Sequence, residues 1–407
     1  MGSPAPQAGR PGVPGPRTGT PGTGGQDGRT PQDPEDKAGT GDPGSRAGAV
    51  ESRAGAQGSR AGAPGSRTGP APRAVPATRR RLAWLLASAL ILLLAVLLSL
   101  AVGSRQVAPG EVFSALLHGG TSDDAQVVRA FRVPRTVLGV LAGAALALAG
   151  TVMQGVTRNP IAEPGVLGVS QGASMGVVCA IAFAGVHTLT GYVWFAFAGA
   201  ALASVGVYAI ASGGRGGASP VRLALAGAAM NALLASVVSG IVTTNARALD
   251  EFRYWQVGSL NGRGSEIIGQ IWPFLLAGAV LVLAMARGLD ALALGDDAAK
   301  NLGHNVGLLR VLGALGATVL TGAAVAAVGP IAFTGLAVPH IARALVGTAH
   351  RWVLPLAALL GPAMILLSDV IGRVLFPPSE VPVAVMTALI GVPFLIVLVR
   401  RKGAVSS

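Results

Sequence analysis

The chain has 407 residues, of which 51% are hydrophobic and only 12% charged, and its mean hydropathy is +0.59. A soluble globular domain does not carry that balance, so the sequence describes an integral membrane protein. The net charge of +13 is divided almost evenly between the first 81 residues and the rest, with no basic groove and no interleaved aromatics, which excludes nucleic acid as a partner.

Residues 1–78 are dominated by Gly, Pro, Ala, Ser and Arg, and S-R-A-G-A recurs from Ser45, Ser52 and Ser59. Gly and Pro stand where a heptad would need apolar residues, so this segment is expected to be a disordered cytosolic tail rather than a coiled coil. After Arg79, Arg80 and Arg81 the texture changes abruptly, and Leu82 through Val102 are long and apolar enough to cross a hydrocarbon core of about 30 Å. With Gly, Pro and charge as punctuation, further spans fall near 136–156, 165–185, 192–211, 221–243, 267–287, 308–328, 331–347, 352–371 and 381–400. The expected architecture is therefore an all-α membrane domain over residues 79–403 with about ten transmembrane helices. Helix is required because a lipid-exposed backbone must satisfy its own hydrogen bonds.

The triple arginine before the first span, and Arg400, Arg401 and Lys402 after the last, place both termini in the cytosol. Arg105, Arg129, Arg132, Arg247, Arg253, Arg263 and Arg373 then fall on the translocated side, against the usual bias. Arginines in that position suggest a local use, such as a salt-bridged contact with another protein. Arg132 and Arg135 flank Val133-Pro134 just outside the second span, and Arg373 lies just outside the ninth. Two roles are open to them: neutralising nearby Asp123, Asp124 and Glu380, or bidentate recognition of carboxylates on an external partner.

Small residues four apart, as from Gly139 to Gly150, predict close helix packing. Intramembrane acid and lysine pairs of the kind ion-coupled carriers use are missing from the spans, so the driving energy is expected to come from elsewhere. Pro160-Ile-Ala-Glu-Pro-Gly165 recurs as Pro330-Ile-Ala-Phe-Thr-Gly335, and Gly143, Ala144, Ala147 and Thr151 match Gly313, Ala314, Ala317 and Thr321 at the same offset. The copies follow spans of opposite direction, the parity of an inverted repeat. Asn159 to Gly165 are expected to form an inside-facing turn.

Between the sixth and seventh spans, Asp290 to Leu308 read as two short amphipathic helices broken at Gly303, with Asp296 and Asp297 in a first turn and Lys300 one turn on. This is either a solvated connector or a docking element for a cytosolic motor. Five scattered histidines and Cys179 lack metal-ligand spacing, and G-x-x-x-x-G-K-[ST] does not occur, so the chain is not its own P-loop ATPase and no enzyme.

From Leu82 to Arg401 the chain resembles the FecCD-type permeases of bacterial ABC importers for ferric siderophores, haem and cobalamin. The resemblance rests on R-V-P-R (132–135), R-N-P-I-A-E-P-G-V-L-G-V-S-Q-G-A (158–173), Y-W-Q-V-G-S-L (254–260), L-G-D-D-A-A-K-N-L-G (294–303), G-P-I-A-F-T-G-L-A-V-P-H-I-A-R (329–343), S-D-V-I-G-R (368–373) and P-S-E-V-P-V-A-V-M-T-A-L-I-G-V-P-F (378–394). It implies a permease of the cytoplasmic membrane that pairs with a second copy or a paralogue, two ABC ATPase subunits that use ATP and Mg, and an extracytoplasmic substrate-binding protein. No cofactor is implied in the permease itself, and a ferric siderophore is the expected cargo, with haem or cobalamin as the alternative. An ion-coupled secondary transporter is the rival from another class. The resemblance further implies that Arg132, Arg135 and Arg373 receive the binding protein. Leu294, Gly295, Asp296, Asp297, Lys300, Leu302 and Gly303 would couple to the ATPase. A cytoplasmic gate would lie at Ser219 and Pro220, although Pro220 departs from the small hydroxyl residues of relatives, as does Ala384 from their glycine.

Overall fold

A computed structural model describes residues 77–103, 107–118, 122–213, 219–377 and 379–403. The expectations for the tail and its repeats concern residues outside this set, except for Ala77 and Thr78. All ten predicted spans contain a helix: α1 (Ala77–Ala101), then α2 (Pro109–His118) and α3 (Asp123–Val127) leading to α4 (Val133–Thr157), α5 (Val169–Ala182), α6 (Leu189–Ser212), α7 (Pro220–Thr244), α8 (Ala246–Gln256), α9 (Ser265–Ala284), α10 (Ala286–Ala293), α11 (Asp296–Asn301), α12 (Val306–Val328), α13 (Thr334–Val346), α14 (His350–Leu375) and α15 (Val383–Gly403). Seven helical stretches among the described residues are long and apolar enough to cross a membrane by themselves. The shorter helices α5, α13 and α15 make up the difference, α5 and α13 in an instructive way.

The side-chain pattern is that of a protein dissolved in lipid. On α1, Leu86, Leu90, Leu93 and Leu97 are exposed, while Ser88 and Ser99 are buried. Hydrocarbon solvates leucine as well as a protein interior does, so the small and polar face turns inward, where it packs and hydrogen-bonds. Helix α4 is the hub, buried along nearly its whole length. It enters through a π-helical turn, Val128–Arg132, closed by the Val133 amide donating to the Val128 carbonyl; Pro134, next in line, has no amide to donate.

Glycines set how closely α4 is approached. A Cβ on Gly143 would lie 2.6 Å from the backbone nitrogen of Pro362 in α14, and one on Gly150 would lie 1.9 Å from the carbonyl oxygen of Gly335 in α13. Only hydrogen fits at either point, so the two backbones touch α4 directly.

The repeated Pro-Ile-Ala motif is explained by the path of the chain beyond α4 and α12. Helix α4 ends at Arg158 in the left-handed conformation, φ 50°. The chain then turns back into the protein through a 3₁₀ turn, Pro164–Leu167, before α5 begins. Helix α12 ends at Gly329, and a short non-helical stretch with Phe333 at φ 66° precedes α13. Each unit is therefore a long helix, an irregular entry and a half-length helix, and the two run in opposite directions. Their irregular segments meet: Pro164 packs against Gly335, and Glu163, Gly165, Pro330 and Ala332 border one cavity of about 240 Å³. The freed backbone groups are recovered locally. Gln154 donates to the carbonyls of Gly335 (3.3 Å) and Leu336 (3.4 Å) and accepts from Arg343, and Asn231 of α7 donates to the carbonyl of Gly165 at 3.2 Å.

This corrects the reading of Asn159 to Gly165 as a simple face turn. Arg158 and Asn159 begin at a face, but Glu163 to Gly165 lie inside, because a broken helix is tolerated at membrane depth only where protein surrounds it.

Candidate functional site

Charge is concentrated at the two ends of the bundle. At one end, here called the arginine face, α1 finishes with carbonyls that have no intrahelical partner. Arg132 Nη1 donates to the carbonyls of Leu100 (2.7 Å) and Ala101 (2.8 Å). Arg373 Nη1 donates to those of Ser99 (2.8 Å) and Val102 (3.1 Å), and its Nη2 to Ser99 Oγ at 3.1 Å. Two guanidiniums thus cap one helix.

Behind them lies Asp369, 1% exposed. Its carboxylate accepts from Arg373 Nε at 2.9 Å and, from α4, Arg135 Nε (3.0 Å) and Nη2 (2.8 Å). Arg135 Nη1 reaches on to Glu380 at 2.8 Å, and Ser99 and Thr136 share a hydroxyl hydrogen bond of 2.8 Å. The network ties α1, α4, α14 and the strap before α15 together. Of the two roles left open for the arginines, the structure shows the neutralising one for Arg135 and Glu380. All three predicted docking arginines point inward and spend their donors on the protein itself; Arg132 and Arg373 are 5% and 3% exposed.

Outside this network is a cavity of about 520 Å³. Its charged lining is Arg132, Arg135, Arg263, Arg373 and Glu380. Arg263 comes from the loop between α8 and α9, which is anchored by Ser259 donating to the Val328 carbonyl at 2.9 Å and Ala384 donating to that of Gly258 at 3.3 Å. The Arg263 Nε and Nη1 are buried without a hydrogen-bond partner. Desolvation pushes its guanidinium down to about 10, still charged at neutral pH.

The opposite end, the connector face, is built differently. Helices α10 and α11 form the predicted pair of short helices, but the break between them is Gly295, at φ 111°, and Gly303, at φ 82°, terminates the second helix instead. A left-handed or mirror-extended backbone is open to glycine at little cost, and both positions use it. Asp296 and Asp297 occupy the first turn of α11 as expected, and Lys300 pairs with Asp297 at 3.6 Å. Asp296 also receives Arg158 from the end of α4 and Arg310 of α12 at 3.0 Å. Asp290 Oδ1 accepts the His350 amide at 2.7 Å, fixing α10 to the start of α14. Between these ionic ties, Leu294 and Leu302 are exposed, 69% and 61%, on either side of α11. Arg81 Nε donates to the Val346 carbonyl at 3.0 Å, so α1 begins at this same face.

Ser219 caps α7, its hydroxyl accepting from the Arg222 amide at 3.3 Å, and Pro220 takes the first helical position, where the missing amide costs nothing. Sequence reasoning missed Asp369, the hub of the arginine network, and named Arg263 only as one of seven arginines on the translocated side. The spacing of Asp369 and Arg373, four apart on one helix, was the available signal for Asp369. Nothing local set Arg263 apart from the other six.

Comparison with known proteins places these faces in context. Residues 91–401 match the FecCD transport family. The chain is 46% identical over 314 residues to the ferric enterobactin transport system permease protein FepD of Escherichia coli (strain K12), covering 77% of this chain and 93% of that one. It is 38% identical to the probable siderophore transport system permease protein YfiZ of Bacillus subtilis (strain 168), over 76% and 93% of the two chains. It is 40% identical to the cobalamin import system permease protein BtuC of Halobacterium salinarum (strain ATCC 700922 / JCM 11081 / NRC-1), over 71% and 78%. A metal-chelate type ABC transporter solved in an inward-facing conformation superposes with a TM-score of 0.68 at 29% identity, covering 78% of this chain and 98% of that one.

Proposed function

Because the chain belongs to the FecCD transport family, we propose that it is the transmembrane permease of an ATP-driven ABC importer that carries a ferric siderophore across the cytoplasmic membrane. The single observation that carries this reading is the 46% identity to a ferric enterobactin transport system permease over 93% of that protein's length. The chain performs no bond chemistry; ATP and Mg are used by two ATPase subunits.

The connector face suits the ATPase. Leu294 and Leu302 offer an apolar knob held by the Asp296 and Asp290 ties to α4, α12 and α14, so motion pressed on α11 is passed to three core helices at once. By this reading Leu294 to Gly303 are the coupling segment, and both ends of the described chain are cytosolic. The arginine face is then extracytoplasmic, with Arg132, Arg135 and Arg373 shaping the seat of the binding protein.

Helix α7 marks the pathway. It exposes Ser236, Ser239, Thr243 and Thr244, whereas α1 buries its serines at 88 and 99. A lipid-facing helix gains nothing from exposed hydroxyls, and a helix lining a hydrated path between two permeases does. Ser219 and Pro220, at its cytosolic start, stand where a gate would close.

The test is uptake into vesicles containing this chain, its ATPase and its binding protein. Labelled ferric siderophore accumulates with ATP, and a proton or sodium gradient does not replace it. Accumulation driven by the gradient alone would sink the importer reading in favour of a secondary carrier. Unlabelled haem or cobalamin competing better than ferric siderophore would reassign the cargo.

A further inference from the structure

The two broken segments depart from their own symmetry at the place where they meet. Glu163 in the first motif corresponds to Phe333 in the second, and Thr151 of α4 corresponds to Thr321 of α12. Thr151 donates its hydroxyl to the Ala147 carbonyl at 2.8 Å. Thr321 is 3% exposed, and its Oγ1 has no hydrogen-bond partner. Both departures fall on one cavity, the 240 Å³ space between the segments, lined by Glu163, Ser170 and Thr321 together with Pro330, Ile331 and Ala332. Pro330 and Ile331 belong to no helix, so their carbonyls are not held in a helical ladder. Thr334, next to Phe333 and fully buried, also leaves its Oγ1 unpartnered.

The Glu163 carboxyl group is desolvated by the protein around it, and the Phe333 amide is the group that stabilises its charge. Among the described residues no lysine, arginine or histidine pairs with it. A carboxylate in such a place takes up a proton or holds a cation. The surroundings favour the cation. The amide supports the ionised form, the cavity has room for an ion and water, and hydroxyl and carbonyl oxygens of the kind that line it are the ligands hard cations take. One carboxylate among neutral oxygens suits a single positive charge, whereas divalent ions draw more carboxylates.

We propose that this cavity is a site for one alkali cation, sodium or potassium, held by the Glu163 carboxylate, the Thr321 hydroxyl and oxygens of the non-helical entries. Broken helices offer this chemistry because unwound carbonyls are free to turn towards an ion. The ion is resident: it supplies the counter-charge to Glu163 and ties the entry of α5 to that of α13 and to α12. The site stands independently of the importer reading and adds no coupling ion to it.

The experiment measures equilibrium binding of radiolabelled sodium to the full-length chain in detergent, with N-methylglucamine chloride holding the ionic strength constant, and follows thermal unfolding in the same buffers. Wild type should bind sodium saturably, with potassium competing, and its melting temperature should rise by about 2–5 °C from N-methylglucamine to saturating sodium or potassium. Glu163→Gln should bind no labelled sodium and should melt at one temperature in all three salts. Thr321→Val keeps the shape and removes the oxygen, and sodium binding should weaken about tenfold. Thr151→Val, at the matching position, should lower the melting temperature without changing the sodium affinity.

Equal melting of the wild type in the three salts, with no saturable sodium binding, overturns the proposal and leaves Glu163 neutralised by a proton. So does sodium binding that persists in Glu163→Gln, which would place the ion elsewhere. Displacement of sodium by micromolar calcium or magnesium overturns it as well, because the site would then be divalent. Where Glu163→Gln fails to fold, the two threonine variants decide, and equal sodium affinity in both overturns the site.

Discussion

The two charged ends of the bundle use the same residue types for opposite purposes. At the arginine face the ion pairs are buried: Asp369 is 1% exposed and its arginines reach across three helices and the strap before α15. At the connector face Arg158 and Asp296 are about a third exposed and sit beside solvent-facing leucines. Burial makes the first set a clasp that cannot be opened without leaving a charge stranded, whereas the second can rearrange at low cost. On the proposed reading, in which the connector face meets the ATPase and the arginine face the binding protein, a transporter pushed from one side and loaded from the other uses that asymmetry.

The comparison breaks most readily at Asp369. Asp369→Asn leaves Arg135 and Arg373 facing a neutral amide in a buried site, and the cost should be about 3–5 kcal/mol. Thermal unfolding in detergent reads it, and a loss no larger than that of a surface pair would show the clasp to be slack. Next is the close contact between α4 and α13. Gly150→Ala places a methyl group 1.9 Å from the Gly335 carbonyl, so α4 and α13 must separate, at about 1–3 kcal/mol. Unaltered stability there would mean that the backbones of α4 and α13 are not pressed together.

Smaller effects are expected at the other face. Arg158→Ala should cost about 0.2–1 kcal/mol, because the pair is exposed and Arg310 still holds Asp296. A double-mutant cycle with Asp296→Asn measures the coupling; a value as large as that of Asp369 would erase the contrast between the faces. The double change Leu294→Ser with Leu302→Ser should move stability by no more than about 0.5 kcal/mol. ATPase stimulation and uptake should nevertheless be lost, and normal uptake would remove the knob from the mechanism.

Much of this was legible before the fold was known. Ten apolar segments gave the helices because lipid forces backbone hydrogen bonding inside each segment. The carboxylates in the first turn of α11 were readable because they are local. The break at Gly295 rather than Gly303 was not: both glycines have positive φ, and the sequence holds nothing to say which of two such turns separates the helices and which ends them. The half-length of α5 and α13 was hidden as well, since apolar side chains flank an irregular entry as readily as a helix when both are buried.

Composition and periodicity by themselves determined the solvent of this protein, its helices and the ends where charge gathers. They could not determine which charges satisfy one another. Arg132, Arg135, Arg263 and Arg373 look alike in sequence, and only the tertiary structure decided that three are spent on carbonyls and carboxylates from distant segments while two nitrogens of the fourth find no acceptor. The reason is physical: a side chain's partner is set by where helices dozens of residues apart come to rest, and that depends on the close approach of backbones at Gly143 and Gly150, not on the arginine or its neighbours in the chain.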